Sequence, residues 1–407
     1  MKAAWSSLGR VSVGSASLLG ALVIAGCGAA ANNTDKPANM AGTNAGGGGA
    51  TSGGSTSGGM STGGQNQSGA TTGGNATAGS AAGGSAGSGG GTAGASGAGG
   101  STSKGFTCPA GAVEAPKLTG LTPMRVVGVP PSDAFNNNNN DFTNIEGDVW
   151  IGDALYVSEI NPGKAAPNMA PPSRILKITA DDKVTILNPD VGSNGLATND
   201  AGELFGALHK DGSISKLSLT GGAAVPVASM FMGMRFDSPN DLTIHKNGTI
   251  YFTDPDYQAP KPLPQSATRA YRVPAGGMPV AIEDLSQPNG ITLSKNQDFL
   301  FIGGNQLKKY PVMADGSLGA GTTFVQGASA DGMVIDCADN LYTASNGVTV
   351  YSPAGASIGV IAVAALGQVT NVAFGGADHK TLYISGQGTQ MQKGLFKVAM
   401  NVPGFPY

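Results

Sequence analysis

The chain has 407 residues, 66 of them glycine, with only 12% charged residues and a formal net charge of −3. A mildly acidic chain without basic clusters excludes nucleic acid as a partner. Glycine is far denser in the first hundred residues than afterwards, so the whole-chain composition misrepresents the folded part.

Taken from the N-terminus, Lys2 and Arg10 flank the start of a short apolar run, Val11 to Ile24. This is the anatomy of an export signal, and the run is too short to serve comfortably as a permanent bilayer span. It ends in Ile24-Ala25-Gly26-Cys27, which resembles the bacterial lipobox, where the cysteine is lipidated and becomes the new N-terminus. The alternative is a simple secretory signal with an incidental cysteine. The lipobox reading makes residues 1–26 a lipoprotein signal peptide and Cys27 the lipidation site, so the membrane is met through the lipid anchor alone. Gly28 after Cys27 fits retention at the outer membrane of the cell envelope, with the leaflet left open.

Residues 27–104 are almost entirely Gly, Ser, Thr, Ala and Asn. Such a segment cannot bury enough apolar surface to offset its ordering entropy and reads as a disordered tether. Gly-rich scaling gives it a reach on the order of 50 Å. Removing the charges at Lys2, Arg10, Asp35, Lys36 and Lys104 leaves 19 basic and 25 acidic residues, so residues 105–407 carry about −6. Cys108 and Cys337 remain in this part of an exported chain, either as a disulfide or as two separate thiols.

From Leu155 onward one short β-type run recurs: Leu155-Tyr156-Val157, Leu204-Phe205-Gly206, Ile250-Tyr251-Phe252, Leu300-Phe301-Ile302, Leu341-Tyr342-Thr343 and Leu382-Tyr383-Ile384. The intervals are 41 to 50 residues, the period of propeller blades. Each run is followed by an amphipathic strand, such as Arg174 to Ile178 or Leu395 to Val398. Sandwich strands are spaced more closely and a solenoid needs capping repeats, so the pattern predicts an all-β, six-bladed propeller with four-stranded blades. Leu118 to Val129 is expected to supply the outer strand of the final blade and so close the ring.

About ten residues before each run stands a side chain offering oxygen: Glu146, Asn194, Asn240, Asn289, Asp331 and Asn371. Glycine follows four of them, while Asn240 is followed by Asp241 and Asn371 by Val372. The start of each innermost strand lies at one mouth of a propeller's channel, so the six converge, and glycine lets neighbouring blades approach there. Asn-Gly and Asp-Gly are ordinary turn dipeptides singly, but not six times in register. Carboxylates and amides without His or Cys suit a hard cation, Ca²⁺ ahead of Zn²⁺, with Mn²⁺ and Mg²⁺ as other divalent choices.

These residues resemble the gluconolactonase and regucalcin (senescence marker protein) family. The resemblance rests on Glu146-Gly147-Asp148-Val149-Trp150, on Arg235-Phe236-Asp237-Ser238-Pro239-Asn240-Asp241-Leu242 and on Tyr251-Phe252-Thr253-Asp254-Pro255-Asp256-Tyr257. It extends through Gln287-Pro288-Asn289-Gly290-Ile291, Asp331-Gly332-Met333 and Thr370 to Gly376. The resemblance implies that Glu146, Asn240, Asn289 and Asp331 bind the metal and that Asn194 faces the same cavity. It places Arg235 where relatives contact substrate, the alternative being a rim ion pair. His209 matches a position where Glu-His is common, but Leu208 precedes it here. Trp150 is expected in the core, and His245 and His379, beside Asn247 and Asp378, at solvated turns. Asn136 to Asn140 form a low-complexity loop, either rimming the pocket or a disordered insertion.

The resemblance implies a hydrolase, a lactonase or esterase whose substrate is a small-molecule lactone or ester; the leader places it outside the cytoplasm, and the propeller is expected to be monomeric. The metal would activate water, with Asp331 or His209 as base and Arg235, Asn194 and Asn371 against the substrate. Two other readings fit the same residues: a phosphotriesterase-type hydrolase at the same cation, and a non-catalytic, surface-tethered binding propeller with a structural metal.

Overall fold

A computed structural model describes residues 106–388 and 393–406. The export signal, Cys27 and the Gly/Ser/Thr-rich tether lie outside the described residues. Six four-stranded antiparallel sheets follow one another along the described chain, five of them built from innermost to outermost strand in sequence order and the sixth taking its outermost strand from the N-terminal side. Their innermost strands are Asn144–Ile151, Ser193–Thr198, Leu242–Ile244, Pro288–Leu293, Met333–Ile335 and Gln368–Gly375, which define blades 1 to 6. Each of the six recurring runs forms the second strand of its blade, as in Ala154–Ile160 and Thr381–Gln387. Each innermost strand packs against that of the next blade, and the circle closes between blades 6 and 1.

The closing strand is Met124–Arg125, which pairs with Gly394–Ala399 through Met124–Lys397 and Arg125–Phe396. It falls within the Leu118 to Val129 segment expected to do this. Both ends of the domain therefore share blade 6, and the ring cannot open without breaking this pairing.

The core is divided into apolar wedges between neighbouring blades. Between blades 2 and 3, Phe205, Phe236, Phe252 and Tyr271 pack together, with ring centroids 4.9 Å apart for Phe236–Phe252. Between blades 6 and 1, Trp150 stacks on Tyr383 at 5.7 Å, which confirms its core position. A Cβ on Gly375 would lie 2.5 Å from the Trp150 indole, so only glycine leaves room for that ring.

Two expectations are corrected. His245 and His379 sit at turns but are buried: the His245 ring accepts the Asn247 N–H at 3.3 Å, and His379 stacks on Phe106 with centroids 4.4 Å apart. The Asn136 to Asn140 loop is fastened at its start rather than left as a disordered insertion. Asp133 accepts the Phe135 N–H, and the Asn136 amide donates to the Pro131 carbonyl. Arg174, fully buried, bonds Glu159 and Asp133 at 2.6 Å each and lies over the Phe135 ring. The guanidinium's several donors and flat face let one side chain hold strand and loop together.

At the opposite end of the channel the C-terminal segment folds back across blades 5 and 6. Gly404 N–H donates to the His379 carbonyl and Phe405 N–H to that of Ile335. Cys108 and Cys337 are joined by a disulfide that spans 229 residues of chain. In the chain-entropy description, closing such a loop removes on the order of 5 kcal/mol of unfolded-state freedom. Reduction, or Cys108→Ser, is expected to lower the unfolding free energy by about 2–5 kcal/mol. A denaturant midpoint that does not move between oxidised and reduced protein would overturn this account.

Candidate metal centre

At the start of the innermost strands, regular pairing is interrupted where the repeated polar residues stand. The register shifts between Glu146 and Val149, Ser193 and Leu196, Pro288 and Ile291, and Val369 and Asn371. A bulge of this kind bends the strand and re-aims a side chain that would otherwise alternate across the sheet. In blades 3 and 5 the ladder begins just after Asn240 and Asp331, whose N–H groups instead donate to the carbonyls of Thr253 and Ala344, both at 2.9 Å.

The glycines that follow these residues set the spacing between blades. A Cβ on Gly147 would lie 2.2 Å from the Asn194 carbonyl oxygen, and one on Gly290 would lie 1.9 Å from that of Asp331. On Gly195 it would meet the Asn240 oxygen at 2.6 Å, and on Gly332 the Asn371 side chain at 2.4 Å. Each glycine thus abuts the corresponding polar residue of the next blade.

Blade 3 has Asp241 in place of glycine and uses its carboxylate as the link, accepting the Ile291 N–H of blade 4 at 3.0 Å. The Phe252-Thr253-Asp254 run completes this corner. The Thr253 hydroxyl donates to the Asn289 carbonyl at 2.7 Å. Asp254 accepts the N–H groups of Asp237 and Ser238 at 3.0 and 2.7 Å, which fixes the turn that delivers Asn240. The physical reason these two motifs occur together is that one clamps the other.

Asp331 interacts with Asn289, with the Gln368 amide at 3.4 Å and with the charge of Asp241. Burial, with repulsion from Asp241, pushes its carboxyl up to about 8. Tyr257 stands beside this group: it bonds the Gln287 carbonyl at 3.3 Å and feels Asp331, Asn289 and Glu146, and burial raises its phenol well above its ordinary value. Asn194 is buried and donates to Gln258 at 3.5 Å. Tyr257, Gln258 and Gln368 carry no repeat signature, which is why the repeat pattern misses them.

The remaining predicted site residues are placed differently. The Asn371 side-chain oxygen accepts the Val372 N–H at 2.8 Å, and the residue lines the channel below the mouth. Arg235 donates to the His209 and Lys210 carbonyls at 3.1 and 3.4 Å and packs against Gly212. His209 is fully buried, with Nε2 on the Pro171 carbonyl at 2.9 Å. That acceptor requires a proton on Nε2, so Nδ1 is left with a lone pair and no partner. Burial lowers its pKa to about 4, which keeps the ring neutral.

Among the described residues, no three His, Cys, Asp or Glu side chains converge closely enough to hold a metal by themselves. The mouth instead combines the carboxylates of Glu146 and Asp331 with amides, a hard-oxygen donor set. The groups acting on Asp331 include no cation. Carboxylate and amide oxygens gathered with no cationic side chain acting on Asp331 fit a divalent cation.

Residues 145–387 match the model of the SMP-30/Gluconolactonase/LRE-like region. The chain belongs to this family. A gluconolactonase of Zymomonas mobilis is 28% identical over 309 residues, covering 66% of this chain and 83% of the relative. Among solved structures, a gluconolactonase of Xanthomonas campestris aligns with TM-score 0.55 and 22% identity, covering 72% of this chain and 100% of its own. A calcium-binding regucalcin of Agrobacterium tumefaciens aligns with TM-score 0.53 and 18% identity, covering 65% and 92%. These two likenesses concern the fold.

The raised carboxyls have a pH consequence for cation-free protein. With folded pKa values of about 7 for Asp241 and about 8 for Asp331, both above 3.8, the folded state binds more protons than the unfolded. Their contribution to stability is greatest below about pH 4 and is lost as pH rises to about 8. In chelator, Asp331→Asn is expected to flatten the fall in melting temperature between about pH 5 and about pH 8. Identical slopes for wild type and variant in thermal melts would refute the assignment.

Proposed function

We propose that this chain is a divalent-cation-dependent hydrolase of lactones or related esters, with Glu146, Asn240, Asn289 and Asp331 holding the cation and calcium the favoured ion. The observation that carries this reading is the mouth itself: the Glu146 carboxylate and the amides of Asn240 and Asn289 at the same strand starts as the raised carboxyl of Asp331, in a chain of this family. The similarity to a gluconolactonase over 309 residues supports the lactone class.

A bound divalent cation supplies Lewis acidity at a substrate carbonyl and lowers the pKa of attacking water. The chain's own residues do the positioning. Asp331 is the group that would take a proton, at a carboxylate oxygen. Asn289 and Gln368 orient that carboxylate. Tyr257 presents an aromatic wall beside it. His209, bonded to Pro171 and neutral, is the weaker base of the two. All these groups come from one chain, so a monomer suffices.

The holoprotein is expected to hydrolyse an aldonolactone, to lose that activity in chelator and to regain it with calcium. Asp331→Ala is expected to lower kcat/KM by about 10²- to 10⁴-fold. Hydrolysis unaffected by both chelator and substitution, read in a pH-indicator assay, would sink the proposal.

We also place the protein outside the cytoplasm, lipid-anchored in the cell envelope at the outer membrane. Support comes from the Lys2 to Cys27 leader and from the Cys108–Cys337 disulfide, which suits an oxidising compartment. Cys27→Ser is expected to move the protein from the membrane fraction to the soluble one. Equal membrane retention of variant and wild type would remove the anchor.

A further inference from the structure

The fold accounts for only part of the Asn136 to Asn140 run. Asn136 is committed to the loop itself: its side-chain oxygen accepts the Asp133 N–H at 3.0 Å, and its amide donates to the Pro131 carbonyl at 2.9 Å. Asn137 and Asn138 have φ of 59° and 57°, the left-handed conformation that asparagine adopts more readily than most residues. Neither reason applies to Asn139 and Asn140. Both are exposed, neither has a positive φ, and their side chains make no hydrogen bond among the described residues.

These two residues line a groove of about 660 Å³ on the mouth face, between blades 1 and 6. Small-molecule sites span roughly 300–1,000 Å³. Its walls are the segment that enters blade 1, the turn after that blade's second strand at Asn161 and Pro162, and the flanks of the last blade 6 connection at Gly388 and Lys393. Asn161 donates to the Phe135 carbonyl, so two of these walls are bonded to each other without a ligand. Asn144 lies in the innermost strand of blade 1 two residues before Glu146, about 7 Å away along the strand. The groove therefore adjoins the mouth.

The lining is chemically uniform. Pro162 is its one wholly apolar side chain, and its ionisable groups are Lys393 and Asp141, the latter paired with Arg125 at 2.6 Å. A single ammonium makes no anion site of the clustered kind, and an apolar ligand would gain nothing by leaving water here. Amides are the recognising groups that remain, and each offers two donor hydrogens and an acceptor oxygen. They match a neutral ligand with adjacent hydroxyls, each of which both donates and accepts.

We propose that this groove is a glycosyl subsite: it holds a neutral sugar unit joined to a lactone ring at the mouth, so the preferred substrate is the lactone of a disaccharide or longer glycan. Asn139 and Asn140 bond the hydroxyls of that unit, with Asn144 nearest the mouth and Lys393 as a further donor. The lactone half of this assignment rests on the hydrolase reading above, and the sugar half does not.

The test has two arms, both on the full chain. In the first, calcium-loaded protein hydrolyses gluconolactone, cellobionolactone and maltobionolactone. Wild type is expected to show a KM about tenfold lower for at least one disaccharide lactone, the equivalent of one or two net hydrogen bonds, and the Asn139→Ala, Asn140→Ala double variant to bring that ratio close to one. In the second, cellobiose and maltose are titrated into chelator-treated protein and followed by NMR. Shifts are expected in wild type and are weakened in the double variant. Sugar binding without hydrolysis of any lactone would uphold the groove and sink the hydrolase reading. Equal KM values for all three lactones in wild type with no sugar binding, or a double variant indistinguishable from wild type in both arms, would overturn the proposal.

Discussion

The structure depends on how closely six innermost strands approach one axis. At Gly147, Gly195, Gly290 and Gly332 the separation between blades is smaller than a methyl group would permit. That contact brings the polar residue of one blade against the backbone of the next. It also determines the electrostatics: desolvation near a narrow axis raises the pKa values of Asp331, Asp241 and Asp148 well above the ordinary carboxylate range. The geometry that closes the ring also concentrates negative charge near the axis, which is the basis of the proposed cation site.

The two ends of the channel are treated differently. On the mouth side, the loops entering blades 1 and 3 are stiffened by buried polar clamps, Arg174 with Glu159 and Asp133, and Asp254 with the Asp237 and Ser238 N–H groups. Glu159 shows the balance such a clamp strikes, since burial raises its pKa against the opposing pull of the Thr143 N–H and Arg174. At the far end, Phe405 lines the channel and Phe106 stacks on His379, while the disulfide fixes Cys108 to blade 5. The two ends are thus built differently, one ringed by the repeated polar residues and the other covered in part by the C-terminal segment.

Period and polarity make much of this legible in the sequence. Strand runs 41 to 50 residues apart have few solutions other than radial blades, and a residue repeated at the same place in every blade must share one radius and one height. Trp150, the closing strand near Met124 and the placement of a polar residue at the start of each innermost strand follow from that symmetry, while Asn371 lies below the mouth. Residues outside the repeat were not accessible in this way. Tyr257 and Gln258 come from a loop particular to blade 3, and Gln368 precedes its repeat position by three residues. His245 and His379 look like solvated turn residues because a local window shows their polar neighbours and not the Phe106 ring or the turn N–H that buries them.

The sequence by itself determined the propeller, the number of its blades and the hard-oxygen character of the mouth, because these are properties of a period and of residue type. Only the tertiary structure decided which polar groups share an environment. Asp148 differs from an ordinary strand residue solely in what surrounds it, and Asp241 reads as a break in the Asn-Gly pattern until its carboxylate is seen bridging to blade 4. Burial, orientation and the absence of a partner are set by residues far apart in the chain, and no local pattern encodes them.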